Sequence, residues 1–436
     1  MRNVDYLIVG GSAAGTTAAE VIRSRNGEGS ITIVTDEEEE YSRVLLPFYS
    51  RNKIKREQVF LKTPDWYKQK NIELLKKTKA TGLNCADHLI TLSDGEEIQY
   101  GKLLISIGGR VIRLDAAGSQ LENILYFRTL EDTDKVIKAA SSAKAGVIVG
   151  GGLISLDFAT CFKANNVGEV TILVKEPYFW ANRLGPDSSK VMVSVLAKNG
   201  VKVLTGEEVE RFEFEQGRTL FKGPTLNNKV ATVVTKSGKR FECGVVGVGI
   251  GIKVDLEWIA KAGVKTNRGI LTNEYLETNV KDVYAAGDCA EFADVIFGRQ
   301  HMMGNWANAT SQGQAAAKGM VGERTIYETA SSYSDSFFEG TYSFIGVTDM
   351  AFADEVISRG SVESGKMTQI YIKTIGRWPR GASGPEGNTK RIVGATVINS
   401  AGEVAPLTAA VKGKVDVSFL VDKLADTNFD LNQLVN

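Results

Sequence analysis

Three stretches of this chain combine small residues with a carboxylate at spacings that suit a phosphate ester carrying a sugar. In YLIVGGSAAGTTAAEVIRS, an apolar run from Tyr6 to Val9 gives way to Gly10, Gly11, Ser12, Ala13, Ala14 and Gly15, then to helix-favouring residues. Side chains this small let the free N–H groups of a helix N-terminus approach a phosphate and stabilise its charge. A carboxylate about 20 positions further on is needed to hold a ribose diol. Asp36 and Glu37 close the next strand, SITIVTDEE. Ser12 stands where a glycine is usual and is small enough to be accommodated. The pattern recurs in AGVIVGGGLISLDFA, with Gly150, Gly151, Gly152, Leu153 and Ile154 across the turn, Ser155 in the third-glycine place and Glu176 at the end of EVTILVKE. Two such fingerprints, each in strand–turn–helix context with an acidic strand end, argue for two dinucleotide sites. In TNVKDVYAAGDCAE an apolar strand ends in Gly287-Asp288. A carboxylate there can accept hydrogen bonds from a polyol; on its own, the stretch reads equally as a strand and an ordinary Asp turn.

The bulk numbers exclude several other classes. At 436 residues the chain has room for two or three domains. Its 52 basic and 52 acidic residues balance, which argues against nucleic acid or an anionic membrane as main partner. Glycine, at 45 residues, exceeds the usual share of about 7%, as close backbone approach to nucleotides requires. No signal-peptide pattern opens the sequence and no apolar run reaches the length of a membrane span, so a cytoplasmic location is expected. Cys85, Cys161, Cys243 and Cys289 form no CxxC, and only His88 and His301 are available as imidazoles. A local dithiol, a metal site and a Ser-His-Asp triad are all unexpected.

With these motifs in place, over roughly residues 4–350, the chain resembles the two-dinucleotide-binding flavoproteins, the pyridine nucleotide–disulfide oxidoreductases. The resemblance implies an α/β fold of two Rossmann-like βαβ domains, one inserted in the other, plus a C-terminal α+β interface domain. The expected boundaries are 1–112 with 246–325 for the FAD-binding domain, 113–245 for the NAD(P)-binding domain, and 326–436 for the last. It also implies FAD at the first fingerprint, NAD(P)H at the second, and contact of Gly287 and Asp288 with the FAD ribityl and pyrophosphate. LLISIGGRV, which contains Gly108, resembles the crossing between domains, and VVGVGIGIKVDL, which contains Gly249, resembles the return. The stretch beginning NWANATSQ, with Trp306 near its start, resembles the helix whose N-terminus faces the flavin ring.

The disulfide-reducing branches of this family carry a cysteine near the flavin, in one branch as Cys-Gly-Leu-Pro-Tyr-Tyr. Here the corresponding residues are Val44-Leu45-Leu46-Pro47-Phe48-Tyr49, so Val44 takes the cysteine's place. No thiolate chemistry can run through it. The rubredoxin and ferredoxin reductase branch has Tyr-x-Arg-Pro-Pro-Leu-Ser-Lys there; this chain keeps Tyr41, Arg43 and Leu46. Arg43 is thus the candidate cation for FAD, against a plain surface arginine. No acid–base pair is expected, because the flavin performs the chemistry. Asp157 is the only candidate for a catalytic side chain, in the place of a common Glu near the nicotinamide, with a plain helix position as the alternative. Glu176 favours NAD(H) over NADP(H), although Lys175 beside it can meet a 2′-phosphate. The resemblance implies electron transfer between NAD(H) and an iron–sulfur, ferredoxin-like protein or subunit. A small-acceptor NADH oxidase or quinone reductase and an NADH-responsive flavin-bound sensor are the competing readings. Homodimer and hetero-oligomer both stay open. Two features are candidates to face a partner: the basic run across residues 51–79, with a solvated helix face as the alternative, and Trp378 flanked by Arg377 and Arg380, with a plain flexible loop as the alternative.

Overall fold

The computed structural model describes residues 2–214, 228–375 and 389–435. They form two compact units, one of Met1–Val111 with Ile252–Thr329, the other of Ile112–Gly251 with Ala330–Asn436.

In the first unit, strand Arg2–Val9 runs parallel to Ile31–Val34 on one side and Glu97–Ile105 on the other, and Ile31–Val34 pairs in parallel with Ile72–Leu75. On its other edge Glu97–Ile105 has two further partners. Its first half joins the antiparallel hairpin of Ala80–Asn84 and Leu89–Leu92, and its second half pairs in parallel with Val283–Ala285. Tyr6–Val9 and Leu103–Ile105, in the middle of the sheet, are unbroken apolar runs because both faces of the sheet are covered there. Tyr6 and Ile8 pack with Ala18, Ala19 and Ile22 of helix Ala13–Arg25 and with Ala316 and Ala317 of helix Trp306–Met320. Leu7 and Val9 point the other way, into a second core with Ile90, Leu92 and Ile259. The two helices touch closely: a Cβ on Gly313 would lie 2.3 Å from the Ala14 carbonyl oxygen.

The second unit holds a five-stranded parallel sheet in the order Val201–Thr205, Glu169–Val174, Ala145–Val149, Val245–Val248 and Ile124–Leu125. The chain returns to the first unit at Ile252, not at 246 as expected, because Val245–Val248 pairs with Ala145–Val149 to complete this sheet. Helix Leu153–Ala164 is buried along nearly its whole length. Residues 330–435 add an antiparallel sheet in the order Ser332–Phe337, Gly340–Gly346, Thr389–Ile398, Lys366–Ile375 and Glu355–Ser361, with helix Val404–Lys412 packed on it. This sheet is joined to the nucleotide fold inside one unit: Gln369 Oε1 accepts from Gly185 N and Ser188 Oγ, both at 2.9 Å. Trp378, Arg377 and Arg380 lie outside the described residues.

Candidate dinucleotide sites

The first glycine turn is built so that no side chain fits inside it. Gly10 has φ +105°, and its N–H donates to Val34 O at 2.8 Å. A Cβ there would lie 2.3 Å from Ser106 O, and one on Gly15 would lie 1.8 Å from Gly10 O. Ser12 is the N-cap of helix Ala13–Arg25, its side chain caps nothing, and the first turn holds no acid. The N–H groups around Ala13 and Ala14 are therefore left to an anion. Gly287 comes up beside them: a Cβ on it would stand 3.4 Å from Ala14 Cβ and 3.6 Å from Ala309 Cβ. Its N–H donates to Gln312 Oε1 at 2.7 Å. Helix Trp306–Met320 starts next to it, with Asn305 capping Asn308 N at 2.8 Å and a half-buried Trp306 in its first turn. The fold thus gathers the first turn, Gly287-Asp288 and a second helix N-terminus in one place. Gly108, at φ +61°, follows strand Glu97–Ile105.

The acidic residues divide differently from their order in the sequence. Asp36 is exposed and pairs with Arg110 at 3.2 Å. Glu37 accepts from Tyr41 Oη at 3.0 Å and from Arg43 Nη2 at 2.7 Å, so two of the expected cofactor residues satisfy each other. Glu40 comes closest to the turn: a Cβ on Gly11 would lie 2.2 Å from its Oε1. That oxygen is buried and has no hydrogen-bond partner among the described residues. Burial pushes the Glu40 carboxyl up to about 7, against the opposing pull of the Thr35 hydroxyl and Arg43. Below that value the carboxyl keeps its proton and leaves the turn without a fixed negative charge. The sequence signal for Glu40 was present, as the last residue of DEEEE, but its contact depends on how residues 35–41 fold back.

The second turn repeats the first with one change of register. Gly150, φ +116°, backs against Gly249, whose carbonyl oxygen would be 2.3 Å from a Gly150 Cβ; Ile154 packs against Gly249 as well. Ser155, in the third-glycine place, donates from Oγ to Gly150 O at 2.8 Å. Gly152 caps helix Leu153–Ala164, again with no side-chain cap and no acid in the first turn. Gly150 N donates to Leu173 O, where Gly10 N donates to Val34 O. Counting on from the bonded strand residues, Asp36 corresponds to Lys175 and Glu37 to Glu176. Lys175 is exposed and Glu176 half-buried, with its carbonyl accepting from Gly206 N at 3.1 Å. Asp157 is buried on the helix.

Where a thiol would matter there is none. Val44 is 47% exposed in the turn Arg43–Leu45. Cys161, Cys243 and Cys289 are buried and Cys85 half-buried. Burial pushes the Cys243 and Cys289 thiols up to about 12 and raises that of Cys85. Thiols held protonated are poor nucleophiles. Treatment with N-ethylmaleimide at neutral pH is accordingly expected to leave NADH-driven electron transfer within about 20% of its untreated rate. Loss of most activity, tracked to one modified cysteine by mass spectrometry, would contradict this.

The glycine cradles and uncapped helix starts fit two dinucleotides, and the comparisons with known proteins agree. The profile of the pyridine nucleotide-disulphide oxidoreductases matches residues 4–313. The chain belongs to this family. This pyridine nucleotide-disulphide oxidoreductase is 29% identical over 377 residues to putidaredoxin reductase of Pseudomonas putida, covering 85% of this chain and 86% of that one. It is 25% identical over 409 residues to the epsilon subunit of the NADH-dependent phenylglyoxylate dehydrogenase of Aromatoleum evansii, covering 93% and 92%. Its fold superposes on the reductase of the covalent putidaredoxin reductase–putidaredoxin complex with a TM-score of 0.87 at 27% identity, over 100% of this chain and 99% of that one. The oxidoreductase is an FAD-dependent NAD(P)H enzyme whose cofactors are FAD and NAD(H). No described helix is long and apolar enough to cross a membrane, and the described residues contain no metal-binding cluster.

Proposed function

We propose that this oxidoreductase moves electrons between NAD(H) and an iron–sulfur protein of the ferredoxin type, alone or as the flavoprotein subunit of a larger complex. The observation that carries the reading is the thiol-free position 44, together with three buried cysteines and a half-buried Cys85 elsewhere. A chain without a reactive thiol has no side chain to relay electrons to a disulfide, so its acceptor must be one that a flavin reduces directly. FAD, when bound, takes up a hydride from NADH and releases electrons singly. In this reading the turn from Gly10 to Gly15 and Asp36 hold the adenosine diphosphate half of FAD, and Gly287 and Asp288 hold its linking chain. The start of helix Trp306–Met320 favours negative charge on the reduced ring. The turn from Gly150 to Ser155, with Lys175 and Glu176 beyond it, holds the nicotinamide nucleotide.

The names of the relatives support an iron–sulfur acceptor: one is a putidaredoxin reductase, and a structural neighbour was captured with putidaredoxin. The exposed surface supports it as well. Val44 and Phe48 are 47% and 39% exposed, and Arg51 stacks on Phe48 at 5.0 Å. Much of the basic run is engaged internally, Lys62 with Glu20, Lys77 with Glu38 and Lys79 with Asp255. Lys53 and Lys55 are exposed and are the lysines of the run nearest in sequence to that apolar patch. We place the enzyme in the cytoplasm, where free thiols persist. Anaerobic stopped flow tests the proposal. NADH should bleach the flavin within seconds without a thiolate charge-transfer band, and the reduced protein should then reduce a [2Fe–2S] ferredoxin. No bleaching would remove the hydride-transfer role; bleaching followed by transfer only to quinones or O₂ would replace the partner.

A further inference from the structure

The segment that follows strand Glu169–Val174 carries a tryptophan in an unusual position. Trp180 is 6% exposed yet has φ +57°, a left-handed backbone that bulky residues rarely adopt. Such a conformation persists only where surrounding contacts impose it, and it clusters at ligand sites. The contacts here are clear. The Trp180 carbonyl accepts from Arg183 N at 2.9 Å and Leu184 N at 3.0 Å. Its ring meets Tyr342 and Phe344 of the antiparallel sheet edge-on, with centroids at 5.4 and 5.1 Å, and Phe179 at 6.3 Å.

The polar edge of the ring faces the nucleotide turn. Indole Nε1 is the atom nearest to where a Gly152 Cβ would be, at 3.7 Å, and a Gly151 Cβ would be 3.5 Å from the Trp180 backbone nitrogen. Gly152 is the N-cap of helix Leu153–Ala164, whose first turn has neither cap nor acid. An indole N–H is a donor only, and a buried one normally has a partner. This one has no hydrogen-bond partner among the described residues. A donor without an acceptor among the described residues, carried on an otherwise buried ring and set beside the free start of a twelve-residue helix, marks where an anionic ligand supplies an oxygen.

We propose that Trp180 is a further phosphate-binding residue of the second fold, its indole N–H donating to the pyrophosphate of the nicotinamide nucleotide while Tyr342 and Phe344 fix the ring. This rests on the reading that the second turn takes NAD(H). It makes the antiparallel sheet of residues 332–398 part of the nucleotide site's support. The aromatic seat explains why a large side chain is held in a conformation better suited to glycine.

The test uses the oxidised FAD-loaded enzyme with NAD⁺, so that no turnover intervenes. Calorimetry on Trp180→Phe should show NAD⁺ binding weakened by about 10- to 100-fold, the loss of one hydrogen bond to a charged group. Nicotinamide riboside, which carries no phosphate, should bind wild type and variant alike, and flavin content should be unchanged. A folded Trp180→Phe that binds NAD⁺ within twofold of wild type overturns the proposal. A second measurement does not depend on that variant folding. With ¹⁵N-labelled tryptophan, the Trp180 indole N–H resonance, assigned by substituting the other tryptophans in turn, should move downfield on addition of NAD⁺ and stay in place with the riboside. An unmoved resonance in an enzyme that binds NAD⁺ overturns the proposal; an enzyme that binds no NAD⁺ overturns the underlying reading as well.

Discussion

Gly15→Ala yields a colourless protein. The methyl group would be placed 1.8 Å from the Gly10 carbonyl oxygen, well inside contact distance. The obstacle is backbone, so no rotamer change relieves it; either the start of the helix or the Gly10 turn must move. Overpacking of this kind costs about 3 kcal/mol, roughly 100-fold in the dissociation constant of a ligand that needs the turn closed. The second fold shows what the first cannot do. Its equivalent residue is Ser155, whose hydroxyl bonds Gly150 O at 2.8 Å, so that turn is shaped around a side chain. Gly27→Ala is the control, because a Cβ there meets nothing within 4 Å. Flavin absorbance per protein after desalting measures the effect. Full flavin in Gly15→Ala would mean that the turn is not where FAD is held.

Glu40→Gln removes a pH dependence. In the flavin-free fold the Glu40 carboxyl is pushed up from 4.5 to about 7 by burial. Below pH 4.5 it is neutral in both folded and unfolded chains. Between these values the unfolded chain ionises while the folded one keeps its proton, so stability falls as pH rises and levels off above about 7. The full swing is at most about 3 kcal/mol, and partial solvent access reduces it. Wild-type apoprotein should therefore melt several degrees lower at pH 8 than at pH 5, with Glu40→Gln flattening that difference. The groups facing Glu40 are Thr35, Arg43, Glu37, Asp36 and Tyr67. FAD retention should follow the same course, tighter at pH 6 than at pH 8, because an ionised Glu40 repels a phosphate at Gly11. Parallel melting profiles for wild type and variant across this range would exclude the role of Glu40.

The glycine positions were legible because their requirement is local: a turn with φ above zero at Gly10 and Gly150 and a helix packed close behind it can be read from spacing. The strand-end acids were legible only in part. Residue counting pairs Asp36 with Glu176, but the hydrogen bonds of Gly10 and Gly150 pair Asp36 with Lys175, because the second strand reaches its turn one residue sooner. Spacing alone cannot detect a one-residue difference in register. The contacts of Glu40 and Trp180 with the turns were hidden for another reason, although Glu40 itself stands in the acidic run. Each reaches its turn from a loop whose path is set by distant contacts, Tyr41 bridging to Phe60 in one case and the rings of Tyr342 and Phe344 in the other. Arg43, offered by its neighbours in sequence as a candidate cation for FAD against a plain surface arginine, is paired by the fold with Glu37.

The split first unit also has a consequence for synthesis. Strand Glu97–Ile105 acquires its parallel neighbour Val283–Ala285 only after the whole inserted fold has been made, a separation of 180 residues between the paired Lys102 and Asp282. At about 5–20 residues per second, that stretch takes the ribosome on the order of 10–40 s. For that time Leu103 to Ile105 present an unpaired apolar edge on the nascent chain, while the inserted parallel sheet can already close on itself. The part of the molecule that begins first is thus the part that finishes late, and its open edge is where a chaperone would be needed during translation.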